Sequence, residues 1–459
     1  MGSAITSRRK MRSFILSPYR LCYMNRDKTL YTALAMVSLA FAFFWLPVPR
    51  LFDVACILLI LLFVPATMSP GSHELRKDPL IILGMCFFLY IVISIVWHRL
   101  TLPDNFPPTT SDRRFLRVLY FIAIAYAISR SSWLTVWHVL AVAFGGLLAY
   151  LAISFDQTEW LLAWHGQRAD FGIHNAQHTG VIFATCALSF GIFTPRFYQW
   201  VKQASPVIAL VSAMIWTTAL LFSLWGVFVS QTRGVWLGLG VAALFFPVIL
   251  GFAYKLNRKF PTSLRKPVLG GIIGIAALSI LAAGFNLPSR VSERLAAEDV
   301  TWESLRQAAA HETQQLSSIE VRVASWSAAA GWIMEKPFMG WGGRGSRPLI
   351  RQSELFSDEF KKNYNHLHSS YLQVLVEIGL IGAMLIVALM ALLGHATIRG
   401  YQRQLMPLDI FLFSWLFFIF WLVVNVFESY IIYPSGTYLV AIVAGTFYSF
   451  CVNKQKPPG

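Results

Sequence analysis

A helix crossing about 30 Å of hydrocarbon at 1.5 Å per residue needs roughly 20 mostly apolar residues. This chain carries about twelve such runs in series, near 29–46, 51–68, 79–97, 115–128, 133–154, 177–194, 205–230, 235–254, 268–286, 371–393, 408–427 and 432–452. The fourth run is short, and the seventh and eighth nearly touch. With 56% hydrophobic and 13% charged residues, the chain is far too apolar for a soluble globular protein. The expected fold class is an all-α polytopic membrane protein of about twelve transmembrane helices with one long, helical outward loop.

Three parts follow: 1–286, with transmembrane helices one to nine; 287–370, the polar loop; and 371–459, with helices ten to twelve and a short tail. Lys and Arg in short loops are retained on the cytoplasmic side, which sets orientation. The N-terminal segment holds Arg8, Arg9, Lys10, Arg12, Arg20, Arg26 and Lys28, and alternate loops hold Arg76-Lys77, Arg130, Arg196 with Lys202, Lys255 to Lys266, and Arg399 with Arg403. Lys454 and Lys456 fall on the same side. Arg113, Arg114 and Arg117 run against the trend. Both termini are expected in the cytoplasm and the long loop outside.

The net charge of +16 is accounted for mainly by these cytoplasmic loops, so a topology signal explains it better than a nucleic-acid surface. The basic N-terminal segment precedes a hydrophobic run without an A-x-A-like cleavage site and reads as an uncleaved anchor. Cys22, Cys56, Cys86, Cys186 and Cys451 lie in or beside spans with no metal-ligand spacing, and imply no disulfide framework. The sequence has no internal repeat and no matched pair of broken spans, which disfavours a secondary transporter. It has no G-x-x-x-x-G-K-[ST] phosphate loop, so ATP is not the expected energy source.

Polar residues gathered on one side of a bilayer are where chemistry is expected. From Pro288 to about Gln315 the loop has a helix-forming composition with balanced charge, read as structural. Ile319, Val323, Trp326, Ala330 and Ile333 recur at helical spacing. That helix, ended by Pro337, is expected along the outer membrane surface, with Trp326 and Trp332 at the interface. Its Arg322 either meets a ligand or snorkels to headgroups. Gly340-Trp341-Gly342-Gly343-Arg344-Gly345 permits close backbone approach, to a ligand or simply in a turn. Ser370 with Gln373 reads as a capping box opening span ten. His368 then sits just ahead of a helix N-terminus, whose dipole disfavours imidazolium and leaves a neutral imidazole fit for a general base, whereas His366 is expected to point elsewhere. A solvated or structural histidine is the alternative.

Other outward turns add cations. Ser230-Gln231-Thr232-Arg233-Gly234 holds Arg233 at the membrane surface, placed for an anion or a lipid headgroup. The loop before it supplies Arg168 and the polar run His174-Asn175-Ala176-Gln177-His178. Arginines without paired carboxylates suit a reaction in which a phosphate leaves, stabilised by guanidinium groups. No D-x-D, H-E-x-x-H or close Asp/Glu pair flanks the cluster, so neither a metal nor another cofactor is expected.

The ordered set Gln231-Thr232-Arg233-Gly234, Arg322 with Trp326, Pro337 with Gly340-Trp341-Gly342, and His368-Ser369-Ser370-Tyr371-Leu372-Gln373 with Glu377-Ile378-Gly379-Leu380-Ile381-Gly382 resembles the core of the O-antigen ligase and polymerase superfamily. The family's His-Asn pair reads His368-Ser369 here, and the Tyr371-Leu372-Gln373 continuation identifies His368 as the match. The resemblance implies a glycosyltransferase taking a glycan from undecaprenyl pyrophosphate in the outer leaflet of a bacterial inner membrane. In the ligase branch the acceptor is the lipid A-core oligosaccharide, and transfer is metal-independent and inverting, on the periplasmic side. Arg233 and Arg322 would bind pyrophosphate and His368 would activate the acceptor hydroxyl. Arg168, Asn175, Gly340, Gly342 and Glu428 would contact substrate, Glu428 orienting an arginine or the acceptor. Expected partners are the donor, the acceptor and membrane lipids, with no nucleic acid. A glycan polymerase and a protein O-oligosaccharyltransferase share the donor; a lipid-linked glycan flippase is a further alternative, disfavoured because Asp53, Glu377 and Glu428 fall near span ends.

Overall fold

A computed structural model describes residues 18–69, 72–103, 106, 109–257, 301–310 and 317–452. The chain is an all-α polytopic membrane protein, with no strand among these residues. In order, the helices are α1 (Pro18–Phe44), α2 (Pro49–Met68), α3 (His73–Arg76), α4 (Pro79–Thr101), α5 (Tyr120–Arg130), α6 (Val136–Ile153), α7 (Gln157–Trp164), α8 (Ala176–Val201), α9 (Pro206–Val229) and α10 (Arg233–Leu256). They continue with α11 (Trp302–Ala309), α12 (Ser318–Glu335), α13 (Ser346–Gln352), α14 (Asp358–Asn363), α15 (Ser370–Gln402), α16 (Leu408–Phe427) and α17 (Pro434–Val452).

Among the described residues, nine helices are long and apolar enough to cross a membrane: α2, α4, α6, α8, α9, α10, α15, α16 and α17. The first expected span corresponds to the shorter apolar stretch Lys28–Phe44 of α1. The short fourth span is explained by its build, 11 residues of α5 continuing a 3₁₀ segment, Thr109–Leu119. The expected span 268–286 lies outside the described residues.

Sequence punctuation starts these helices. Proline opens α2, α4, α9 and α17, where its missing N–H is not needed and its fixed φ is already helical. Asp78 caps α4 and Thr135 caps α6. Centrality differs sharply: 78% of the apolar window of α17 is buried, against 11% for α9. α17 is therefore the central post, packed on α5 where Gly445 lets Ile124 approach, while α9 presents side chains such as Val207 and Ile215 outward. The apolar faces left exposed on α2, α4 and α9 are what a lipid-immersed helix requires.

The spans alternate in direction, and cross-helix bonds mark the two ends of the bundle. At one end Arg196 of α8 pairs bidentately with Asp409 of α16, at 2.5 and 2.7 Å. At the other end Thr232 donates to the Ala176 carbonyl at 3.0 Å, Tyr430 donates to the Gln177 carbonyl at 3.0 Å, and the Ser370 N–H donates to the Glu428 carbonyl at 3.1 Å. The described residues of the polar loop from 317 onward belong to this second end. They build a small core of their own from Val321, Ala328, Trp332, Ile350, Phe356, Phe360 and Leu367.

Candidate functional site

Arg233 is the first residue of α10, and Gln231 two residues earlier has a left-handed backbone, with φ 48°. The chain thereby reverses between α9 and α10 within three residues and leaves Arg233 at the rim. Gly234 makes room for the Phe427 ring, to which a Cβ would come within 3.1 Å, so α10 and the end of α16 sit side by side.

Arg322 arrives from another direction. Ser317 and Glu320 form a capping box that starts α12, and Arg322 lies one turn in. Its Nη1 donates to the Ser318 carbonyl at 2.5 Å and hydroxyl at 2.9 Å, and its Nε donates to the Phe427 carbonyl at 3.3 Å. Arg233 Nη2 reaches the same Ser318 hydroxyl at 3.4 Å. A guanidinium against the last carbonyls of α16 lies at the negative end of that helix's dipole. Arg168 reaches the same α9–α10 turn, its Nε donating to the Ser230 carbonyl at 3.3 Å, three residues before Arg233. The three arginines, distant in sequence, are thus on one side of the bundle.

α12 is not a bare surface helix. Trp332 is buried in the loop's own core, and Trp326 Nε1 donates to the Leu367 carbonyl at 3.2 Å, tying α12 to the histidine segment. That segment is held from the far side too, because the Leu367 N–H donates to Gln373 Oε1 at 3.0 Å. His368 follows with φ 49°, a left-handed backbone that costs a side-chain-bearing residue free energy and persists only where the surroundings enforce it.

The expectation that His366 points away is overturned. The two imidazole rings lie 4.1 Å apart and both face Glu428, with His366 Nδ1 3.4 Å from Oε1 and His368 Nδ1 3.8 Å from Oε2. The left-handed turn at His368 explains this, since it folds the segment back so that side chains two apart share a face. Glu428 is 1% exposed, and the Ser429 N–H donates to its Oε1 at 2.8 Å. Burial holds His366 down at about 3, with His368 beside it adding to the effect and Glu428 opposing it. Burial alone would raise the Glu428 carboxyl, but the adjoining His368 and His366 outweigh it and keep it at about 2. A neutral imidazole beside a carboxylate is the resulting pattern at neutral pH.

The capping box expected at Ser370 does not form. Ser369 occupies the N-cap position without a side-chain cap, and the Ser370 hydroxyl donates to the Glu428 carbonyl at 3.0 Å. Gln373 is drawn away by Leu367 and Glu377, at 3.0 and 2.6 Å. Asn175 caps α8, accepting from the N–H groups of Gln177 and His178. Its side-chain oxygen is committed to that helix start.

Gly340 lies against the Glu377 backbone and Gly342 against the His98 and Leu102 side chains, outside the histidine–arginine cluster. α15 is interrupted at Gly379, where φ is 62°, and the loop carrying the two glycines docks onto the break. Trp341 and Gly342 donate to the Val376 and Glu377 carbonyls at 2.8 and 2.9 Å, and Leu380 donates to the Pro337 carbonyl at 2.8 Å. A Cβ on Gly340 would sit 2.7 Å from the Glu377 backbone.

Beneath that loop lies a polar network that the motif reading did not assemble. Glu377 is fully buried and ion-paired with Arg114, and it accepts from Ser346 at 2.9 Å and Gln373 at 2.6 Å. Asp112 bonds the Gly343 N–H, accepts from Ser94 at 2.9 Å and lies 3.2 Å from His98. The available signal was Ser94 and His98, one helical turn apart inside an otherwise apolar span.

The structure thus presents an all-α membrane bundle with arginines and a histidine–carboxylate cluster at one end. Residues 218–387 match the family model described as O-antigen ligase. This region, which holds Arg233, Arg322 and His368, belongs to the O-antigen ligase and polymerase superfamily, and the chain is a glycan-transferring enzyme of that kind. No curated protein matches the chain.

Proposed function

We propose that the protein transfers a glycan from undecaprenyl pyrophosphate to the lipid A-core oligosaccharide, on the periplasmic side of the inner membrane, with both termini cytoplasmic. The observation that carries the reading is the convergence of Arg233 and Arg322 on Ser318, beside the end of α16 that also bears Glu428. Pyrophosphate becomes a good leaving group once its developing charge is neutralised, and paired guanidinium groups match phosphate oxygens bidentately. His368 takes the proton of the acceptor hydroxyl as that oxygen attacks the anomeric carbon from the face opposite the departing pyrophosphate, which inverts the centre. Glu428 steadies the imidazolium that forms. Arg168 assists at the phosphate. The described loop residues 317–370 serve as the acceptor-side wall of this site.

The test is transfer by the purified protein, in detergent and without nucleotide, from a lipid-pyrophosphate-linked glycan to lipid A-core. The expected product is the ligated lipopolysaccharide. Glycan lengthening on the lipid carrier with no transfer to lipid A-core would identify a polymerase instead, and transfer to neither acceptor would defeat the reading.

A further inference from the structure

We infer that His366, His368 and Glu428 form a binding site for a borderline transition-metal ion of the Zn²⁺ class, whose occupation shuts off glycan transfer. Their donor atoms all lie within 4.8 Å of one another. Zinc bound tetrahedrally by imidazole and carboxylate at about 2.0–2.2 Å sets its ligand atoms roughly 3.3–3.6 Å apart. His366 Nδ1 and Glu428 Oε1, at 3.4 Å, already have that separation, and His368 Nδ1 and Glu428 Oε2, at 3.8 Å, need a small closure.

The surroundings point the same way. Neither ring nitrogen of His368 has a hydrogen-bond partner, and neither does Glu428 Oε2, although all three atoms are buried. An unsatisfied buried polar atom is destabilising, so such atoms gathered in one place favour a ligand that takes lone pairs. The carboxylate is oriented by the Ser429 N–H, as ligating carboxylates are by their outer partners. Two imidazoles and one carboxylate are a zinc donor set with a fourth position open, whereas Mg²⁺ and Ca²⁺ demand six or more oxygen ligands.

Occupation blocks the base. A neutral imidazole bound to metal through one nitrogen carries its proton on the other, so His368 has no lone pair left for an acceptor hydroxyl. This inhibitory half rests on the role proposed above for His368; the binding half does not.

The experiment uses the full-length protein in detergent, stripped with a chelator and titrated with Zn²⁺ alone, with Co²⁺ as a spectroscopic probe. Wild type is expected to take up about one equivalent, to show the visible absorption of low-symmetry Co²⁺, and to lose transfer activity on adding Zn²⁺ and regain it on chelation, with no response to Mg²⁺ or Ca²⁺. His366→Gln and Glu428→Gln should each lose at least ~10-fold in Zn²⁺ affinity, as a lost ligand or outer partner does. Thermal shift on adding Zn²⁺, seen in wild type and lost in either variant with an unchanged metal-free melting temperature, separates lost binding from lost folding. Equal Zn²⁺ affinity in wild type and both variants overturns the site, and full activity in the zinc-loaded protein overturns the inhibition. If the stripped protein transfers no glycan, the functional reading fails while uptake and spectrum still decide the site.

Discussion

The guanidinium groups of Arg233 and Arg322 both reach the Ser318 hydroxyl, at 3.4 and 2.9 Å. One small side chain at the first turn of α12 therefore sets the spacing of two cations that arrive from different segments. Ser318→Ala removes that shared acceptor but leaves Arg322 its bonds to the Ser318 and Phe427 carbonyls. Hydrogen bonds involving a charged group contribute about 1.5–3 kcal/mol, and each 1.4 kcal/mol is tenfold. Ser318→Ala is expected to raise the KM for the lipid-linked donor ~10-fold with kcat changed less than about threefold. A selective fall in kcat would show that Ser318 acts in the chemical step instead.

His368→Ala removes the proton acceptor, and general-base assistance is worth about 10² to 10⁴ in rate. Arg233→Ala and Arg322→Ala each remove a cation from the leaving group. All three variants should insert into membranes at wild-type levels and fail to build lipopolysaccharide ladders in cells. Arg233→Lys and Arg322→Lys should recover little, because a point charge does not reproduce a planar, two-toothed donor. A wild-type ladder from His368→Ala would remove His368 from the mechanism.

Glu377 is buried where Arg114 is its ion-pair partner, with Ser346 and Gln373 donating to it. Deleting one member of a buried pair leaves an uncompensated charge and typically costs about 3–5 kcal/mol, more than the pair itself contributes. Arg114→Ala should therefore lower the thermal midpoint in detergent markedly, and Arg114→Ala/Glu377→Gln should recover a good part of it. Gln373 also holds the Leu367 N–H, so the same network braces the segment carrying His368. A double variant no more stable than Arg114→Ala would refute the buried-charge account.

Much of this was legible along the chain because it is local. A run of 20 apolar residues means a span wherever it falls, and the helix expected from Ile319 to Ile333 is seen as Ser318–Glu335 because its period and its capping box are contained in one stretch. Arg233 and His368 stood out as a cation and a histidine flanking spans, and Arg322 as a cation near the start of the loop helix. What was not legible depends on partners far away. Glu377 meets Arg114 across most of the chain, and the capping signature at Ser370 loses to the Glu428 carbonyl and to Leu367, which compete for the same groups. The orientation of His366 follows from one left-handed residue, and a histidine in that conformation has no sequence mark.

The break in α15 makes the last contrast. Gly379 has φ 62°, and a Cβ there would lie 2.2 Å from the Phe338 carbonyl oxygen, so both the backbone conformation and the docked loop exclude a side chain. The left-handed conformation alone costs an L-residue about 1–2 kcal/mol, and the clash with backbone, which has no flexible end to move aside, adds to it. Gly331 is the opposite case: it lies inside α12 with open space around its Cβ position. Glycine inside a helix is less favourable than alanine by roughly 0.5–1 kcal/mol. Gly379→Ala is expected to unseat the Pro337–Gly342 loop, lower the thermal midpoint and expose that loop to protease, whereas Gly331→Ala should hold or slightly raise the midpoint. Equal midpoints for the two variants would mean that the break in α15 is not held by the loop docked upon it.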